Sequence, residues 1–450
     1  MRCLSFRVRA LVAVVLLALT LAGAGELAHA ARKTPPPEIT AYVEATLIDG
    51  TGAPPVAHAT VIVQGERINA AGKSTDVALP DRVHVVTLSG RYLIPGLINT
   101  HVHLASPPLP QIARAYLRRE LYSGVTAVRD MAGDARLLGE LKREALQGEI
   151  TSPDIYYSAL LAGASFFSDP RTAVSAEGWD SGTAPWMRAI GKDSDLRQII
   201  AEAKGTGATG IKIYADLTLD LVRAATTEAH RQGMKVWAHS FVPPTLPSAM
   251  ADSGVDSLSH ADLIAYELAD PTPQMYKEFS PISPTAAEPN TRIDRVLQLM
   301  AQNHIILDAT ANISHLYPSR LFPQAVAPAI TRQAYRRGVI ICTGTDDDPD
   351  FHAIDSRLFD EIWRLVQESN MTPMDAIHAA TANGAAVIGQ AAEMGTIASG
   401  KLANFVVLRK DPLSDIHNVQ SVERVVKRGK EYPRSRYVPA KADLVPQGGS

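Results

Sequence analysis

Two histidines two positions apart, His101 and His103, end the apolar run Leu93-Ile94-Pro95-Gly96-Leu97-Ile98-Asn99-Thr100. On a strand the period of two aims both imidazoles at one face, which makes a metal-binding edge. A buried strand whose histidines merely find hydrogen-bond partners has the same pattern. Four further polar residues close short apolar segments: Lys212 in Gly210-Ile211-Lys212-Ile213-Tyr214, His239 in Val236-Trp237-Ala238-His239, His260 in Ser257-Leu258-Ser259-His260, and Asp346 in Thr343-Gly344-Thr345-Asp346. Any one alone reads as a satisfied core residue. Together, four imidazoles, a carboxylate and a lysine form a nitrogen and oxygen donor set suited to zinc, with other first-row metals open. A lysine ammonium has no lone pair and repels a cation, so a lysine among ligands must be deprotonated or modified. If Lys212 instead stays an ammonium paired with a carboxylate, the centre would hold one metal.

The segments that carry these residues alternate with amphipathic helices such as Leu219 to Gly233 and Asp355 to Glu368, which favours a parallel α/β architecture. Eight strands are expected: Leu97 to Leu104, Val125 to Asp130, Ile155 to Leu161, Gly210 to Tyr214, Lys235 to His239, Ser257 to His260, Ile305 to Ala309 and Val339 to Thr345. Eight such units fit a (β/α)8 TIM barrel spanning 94–389, with a doubly wound open sheet as the other arrangement. In a barrel the C-terminal strand ends converge on one mouth, where all six residues would lie.

A barrel of about 250 residues allots roughly thirty to each repeat. His101 and Lys212 stand 111 residues apart, and His260 and Asp346 stand 86 apart, so two insertions are expected, at 163–191 and 266–292. Both follow strand ends and would overhang the mouth, as lids or as disordered surface loops. The first carries Phe166, Phe167, Trp179 and Trp186, a pattern that favours packing and a partly apolar substrate. Tyr214 shares a strand face with Lys212 and is a candidate substrate contact or a packing tyrosine. Asp347 and Asp348 are candidates for orienting ligands or form a polar loop, Asp130 serves the barrel interior or the site, and His315 and His352 are candidates for reaching the pocket.

Before the barrel, Val43 to Gly50, Ala59 to Gly65 and Val83 to Leu88 alternate apolar and polar residues; far downstream Gly395 to Ile397, Ala403 to Leu408 and Val422 to Gly429 do the same. The two ends, 38–93 plus 390–435, are expected to build one small β-sandwich, followed by a tail at 436–450. At the front, Arg2, Arg7 and Arg9 precede the apolar run Ala10 to Gly23, and Ala28-His29-Ala30 offers a small-x-small cleavage site. This reads as a secretory signal over 1–30 and a secreted or periplasmic protein, an uncleaved anchor being the other reading. After cleavage no long apolar stretch remains to cross a membrane. Only Cys3 and Cys342 occur, so a mature chain without Cys3 cannot form an internal disulfide.

A net charge of −3 and the absence of a Lys/Arg cluster argue against nucleic acid. The expected partner is a small molecule or short peptide; a homo-oligomer stays open.

With these motifs in view, the sequence resembles the amidohydrolase superfamily, in particular its imidazolonepropionase-like and prolidase-like secreted members. The resemblance runs over nearly the whole chain beyond the N-terminal segment. It includes Ile94-Pro95-Gly96-Leu97-Ile98-Asn99-Thr100-His101-Val102-His103, Gly254 to His260, Thr343 to Asp346 and the closing Gly395 to Leu408. It implies a centre of two divalent metal ions, zinc first among them: His101, His103 and Asp346 on one, His239 and His260 on the other, and Lys212 carboxylated to bridge them. It also implies hydrolysis of an amide, peptide or cyclic amide C–N bond by hydroxide generated at the metals, with Asp346 as proton shuttle. A lactone or phosphotriester hydrolase on the same ligands, and a non-catalytic periplasmic solute-binding relative, are the other readings. Prolidase-like relatives tend to carry a Gly-rich turn after the lysine strand, whereas this chain has Tyr214-Ala215-Asp216-Leu217, a departure that counts against dipeptides.

Overall fold

The computed structural model describes residues 38–440 except Pro318, Arg320 and 350–352. The expected signal segment with Cys3, the last ten residues of the expected tail, and His352 lie outside the described residues.

The strands in chain order are β1 (Ile39–Leu47), β2 (Val56–Gln64), β3 (Arg67–Lys73), β4 (His84–Thr87), β5 (Tyr92–Pro95), β6 (Leu97–Val102), β7 (Val125–Asp130), β8 (Asp154–Ala162), β9 (Thr183–Ala184), β10 (Met187–Ala189), β11 (Gly210–Ile213), β12 (Lys235–His239), β13 (Ser257–Ser259), β14 (Ile306–Asp308), β15 (Ile341–Cys342), β16 (Phe405–Leu408), β17 (Val422–Lys427) and β18 (Lys430–Pro433). They form two sheets.

The first sheet draws on both chain ends, in the order β18-β17-β16-β5-β1-β2-β3, with β4 also beside β1. β1 changes partner midway: Thr40–Val43 lies against β4 and Thr46–Leu47 against β5. Between them Glu44 adopts φ of 65° and the register with β2 shifts. Such a bulge bends the strand, so two arms close over a shared core that includes Tyr42, Leu47, Val61, Leu93, Phe405 and Val426. Tyr42 and Phe405 meet edge to face at 5.0 Å. Two details depart from expectation. Gly395 to Ile397 forms a turn, tied in by the Ile397 N–H to Asp49 carbonyl bond of 2.9 Å. Arg67–Lys73 is a strand; it pairs with β2 along its length and is bridged on its other side at Arg67 to Leu402, so most of that side is an edge that needs little apolar alternation.

The eight expected strands all form, and they make the barrel: β6, β7, β8, β11, β12, β13, β14 and β15, each parallel to the next. The ring closes where Thr100 donates its N–H to the Thr343 carbonyl and Asp346 donates its N–H to the His101 carbonyl, both at 2.9 Å. The fold is thus a TIM barrel with a β-sandwich-like flanking sheet. The surrounding helices follow their sequence signals. In Ala135–Gln147, Asp134 caps the start by accepting from the Arg136 N–H, Leu137, Leu138, Leu141 and Ala145 bury one face, and Gly148 ends the helix at φ of 70°, a C-cap that favours glycine.

The first insertion is ordered. β7 covers Asp154–Tyr157 of β8, and β10 covers Leu160–Ala162 further along; before it run the turn Ala164–Ser168 and the short helix Pro170–Ser175, capped by Asp169. Trp186 is buried and donates from Nε1 to the Ser175 carbonyl at 3.0 Å. The second insertion contains the short turns Tyr276–Glu278 and Pro284–Ala287. Asp216, at φ of 57° after β11, touches both: it accepts from Ser165 Oγ and from the Tyr276 N–H, each at 2.6 Å. No helix among the described residues is long and apolar enough to cross a membrane.

Candidate active site

The six residues singled out by type and spacing come from five barrel strands and lie at their C-terminal ends. His101 is on β6 and His103 just beyond it, Lys212 is on β11, His239 ends β12, His260 follows β13 and Asp346 follows β15. His101, His260 and Asp346 each bring one donor atom within 4.8 Å of the others. Neighbouring rings extend the group: His101 to His103 at 5.4 Å, His101 to His260 at 5.0 Å and His239 to His260 at 4.8 Å between centroids.

Hydrogen bonds around the rings decide which nitrogens are free. His101 donates from Nδ1 to Asp308 at 2.8 Å, and His103 donates from Nδ1 to the Ala132 carbonyl at 3.2 Å. That tautomer leaves both Nε2 lone pairs aimed at Asp346 Oδ1, at 3.4 and 3.0 Å. Two lone pairs and a carboxylate oxygen repel one another unless something positive sits among them. Burial works to lower the pKa of His103, but its hydrogen bond and attraction to Asp346 raise it to about 9, so without a cation a proton takes that place. Burial opposes ionisation of Asp346 too, yet the surrounding imidazoles hold its carboxyl far below the usual range.

The other side of the centre is electron-rich and unpartnered. His239 Nδ1 and Lys212 Nζ are buried and have no hydrogen-bond partner among the described residues. Burial lowers the Lys212 ammonium to about 7 and the His260 imidazole to about 3, and it lowers His101 and His239 as well. Neutral imidazoles, a desolvated amine and a carboxylate in one place fit divalent metal. Backbone strain collects here as well: His260 at φ of 72°, Asp346 at 51° and Thr310 at 45° lie in the left-handed region, which costs a non-glycine residue roughly 1–3 kcal/mol.

Beneath these six residues is a network that strand patterns alone did not reveal. Asp308, at the end of β14, is fully buried; it accepts from His101, from Arg129 at 2.9 Å, from Ser259 Oγ at 3.0 Å and from Thr100 Oγ1 at 3.2 Å. Arg129 supplies the buried counter-charge to that carboxylate. Gly344 permits this packing, since a Cβ there would collide with Asp308 and His101. The one available signal was the carboxylate closing the apolar Ile305-Ile306-Leu307-Asp308. Asp130 plays a related part: it accepts from the Leu104 and Ala132 N–H groups at 2.5 and 3.1 Å and so shapes the turn after β6.

Other candidates divide. Tyr214 lines the pocket, with its ring 4.0 Å from His239 and its hydroxyl 3.5 Å from that of Tyr276. Asp348 also lines it. Asp347 instead accepts from Tyr116 Oη at 2.7 Å and from Thr345, beneath the mouth. His315 does not reach the pocket; it lines a separate cavity with Gln324, Arg332 and Glu368, because the helical turn after β14 carries it outward. Three residues that sequence reasoning did not single out, Arg171, Tyr276 and Phe279, do line the pocket. They sit in the two insertions, where residue type alone distinguishes lining from surface poorly. The cavity itself measures about 320 Å³, within the range of small-molecule sites.

Comparison with known proteins bears on the fold and the family. Over 87% of this chain and 86% of its own length, ochratoxinase from Aspergillus niger is 26% identical. The crystal structure of A. niger ochratoxinase superposes with a TM-score of 0.69 at 21% identity, covering 91% of this chain and 99% of that one. Molinate hydrolase gives 0.69 at 20% identity, covering 91% and 100%, and a Xaa-Pro dipeptidase with bound methionine gives 0.67 at 21%, covering 88% and 100%. The model of the Amidohydrolase family matches residues 92–432, from the last strand before the barrel to the last strand of the flanking sheet, and the chain belongs to that family.

Proposed function

We propose that this protein is a metal-dependent hydrolase of amide, peptide or cyclic amide C–N bonds, with a centre held by His101, His103, Lys212, His239, His260 and Asp346. The observation that carries the reading is Lys212: a fully buried lysine with no hydrogen-bond partner among the described residues, set among four histidines and an aspartate. A permanent ammonium there would lack both solvent and counter-ligand. As a free amine it can add to carbon dioxide, forming an N–C bond and losing a proton to water; the resulting carbamate anion offers two oxygens. Such a bridge suits two divalent ions, zinc first among them. Family membership and relatives named for hydrolytic reactions support the reaction class.

When bound, the ions would supply Lewis acidity, acidifying a water and polarising the scissile carbonyl. The chain's own residues do the rest. Asp308 and the Ala132 carbonyl fix the tautomers of His101 and His103. Asp346, with one oxygen toward those histidines and the other 3.6 Å from His260 Nδ1, is placed to take the proton of the attacking water and return it to the leaving nitrogen. The same proposal places the protein outside the cytosol, on the charge and apolar pattern of its N-terminal segment.

The test is metal content by plasma mass spectrometry on protein prepared without chelator and with bicarbonate, beside the Lys212→Ala variant. Close to two ions per chain, falling in the variant, is the expected result. One ion, unchanged in the variant, would overturn the bridged centre. A panel of C–N, C–O and P–O substrates then decides the bond.

A further inference from the structure

The pocket has a polarity that the metal ligands do not explain. One wall is a continuous aromatic surface built from three separate segments. Phe166 of the first insertion packs at 4.6 Å against Tyr214, tilted by 34°, and meets Tyr276 of the second insertion edge-on at 5.6 Å; Tyr276 in turn meets Phe279 at 4.9 Å. Aromatic walls of this kind favour an aromatic group, which can meet such rings face-on or edge-on.

Charge is distributed unevenly across the same pocket. Among the described residues that line it, Arg171 is the only lysine or arginine, and it stands on the β8 side, in the first insertion. The carboxylates that line the pocket, Asp262, Asp346 and Asp348, follow β13 and β15 on other sides. Asp169 holds the guanidinium by one edge, accepting from Nε at 3.0 Å and from Nη2 at 2.7 Å. The remaining terminal nitrogen, Nη1, takes no part in that pair, and Tyr276 is a hydrogen-bonding neighbour of the guanidinium. The side chain is 60% exposed, which puts it at the mouth and not at the metal ligands. A solvent-exposed guanidinium aligned by one carboxylate keeps donors beyond the two which that carboxylate takes, and is suited to receive another by charge-assisted hydrogen bonds.

We infer that the substrate is an amide carrying an aromatic group, which lies on the Phe166–Tyr214–Tyr276 wall, and a free carboxylate, which docks on Arg171 at the mouth. Acylated aromatic amino acids have this chemistry. The inference rests on the hydrolase reading above and names its substrate class; Arg171 is the residue that sets the preference for an acid over its neutral counterpart.

Inert sulfonamides separate docking from turnover. Binding of N-benzenesulfonyl-L-phenylalanine and of N-(2-phenylethyl)benzenesulfonamide, which lacks only the carboxylate, is measured by calorimetry on the metal-loaded protein. The acid is expected to bind roughly tenfold more tightly than the neutral compound. Arg171→Gln should reduce that ratio to near one and leave the affinity for the neutral compound unchanged. Asp169→Asn keeps the helix cap, because asparagine caps as well as aspartate, while it frees the guanidinium from a competing charge; the ratio should rise several-fold. A merely structural Arg171 would not produce this opposite pair of effects. Equal binding of the two compounds by the wild type, a ratio unchanged in Arg171→Gln, or no binding of either would overturn the inference. Hydrolysis of N-benzoyl-L-phenylalanine is followed separately: an intact acid preference with no cleavage upholds the docking and counts against the amide-hydrolase reading.

Discussion

The carboxylate of Asp308 accepts the Nδ1 proton of His101 at 2.8 Å while also meeting Arg129 at 2.9 Å. This buried contact turns the His101 ring so that its other nitrogen faces Asp346. Groups that orient a ligand in this way are worth about 10–100-fold in metal affinity. Asp308→Asn should therefore lower metal content in competition with a chelator. It also leaves Arg129 without its counter-charge, a loss of about 3–5 kcal/mol when one partner of a buried pair is removed, so the thermal midpoint should fall as well. Wild-type metal retention in this variant would count against the orienting role.

Asp346→Asn keeps the shape of the residue and removes its basicity. Turnover should drop by about 10²–10⁴-fold, the usual contribution of a general acid–base group, with a much smaller change in substrate binding. Steady-state kinetics on any substrate found in the amide screen checks it. An unchanged kcat would remove Asp346 as the shuttle.

Glu361 predicts a pH dependence of stability. It is fully buried and accepts from the Ala311 and Asn312 N–H groups at 3.0 and 2.8 Å. Burial raises its carboxyl from 4.5 to about 8, against the pull of those donors. Below 4.5 both the folded and the unfolded chain carry the proton. As pH rises toward 8 the unfolded chain releases it first, so stability from this group is progressively lost and levels off above 8. Denaturant midpoints at pH 5 and pH 8.5 should differ less in Glu361→Gln than in the wild type; an identical difference would assign the loss to other groups.

Gly344→Ala adds a methyl group where His101 and Asp308 leave no room. Overpacking of this kind costs about 1–3 kcal/mol, and here it should also displace a ligand. A lowered thermal midpoint together with lowered metal content is expected. Loss of stability alone would mean that the strands yield without moving His101.

The barrel was readable because its strands obey a local rule: β7 and β12 run from Val125 to Asp130 and from Lys235 to His239, the limits that apolar runs and their turns suggest. The six residues at the strand ends were readable for the same reason, since strand direction fixes where the last polar side chain goes. Arg171 and Tyr276 were not, because an insertion's path depends on contacts between segments distant in sequence, such as Ser165 and Tyr276 with Asp216. Glu361 was hidden by type: on the apolar face of Leu358–Gln367 it looks like a solvent-facing residue, and only the backbone donors at 311 and 312 explain its burial. His315 failed in the opposite direction, being near a strand end but carried outward by a helical turn.

The flanking sheet joins β5 to β16 in antiparallel register, Pro95 opposite Phe405 and Tyr92 opposite Leu408, and β6 with His101 begins just two residues after β5 ends. During synthesis the chain emerges from its N-terminus, and pairings between residues this distant in sequence form late. The edge of β5 therefore stays open through the whole making of the barrel. β5, which leads directly into the strand of the first two candidate ligands, gains this neighbour only when nearly the entire polypeptide exists, so a prematurely ended chain would carry every one of the six site residues and still lack the pairing that braces β5.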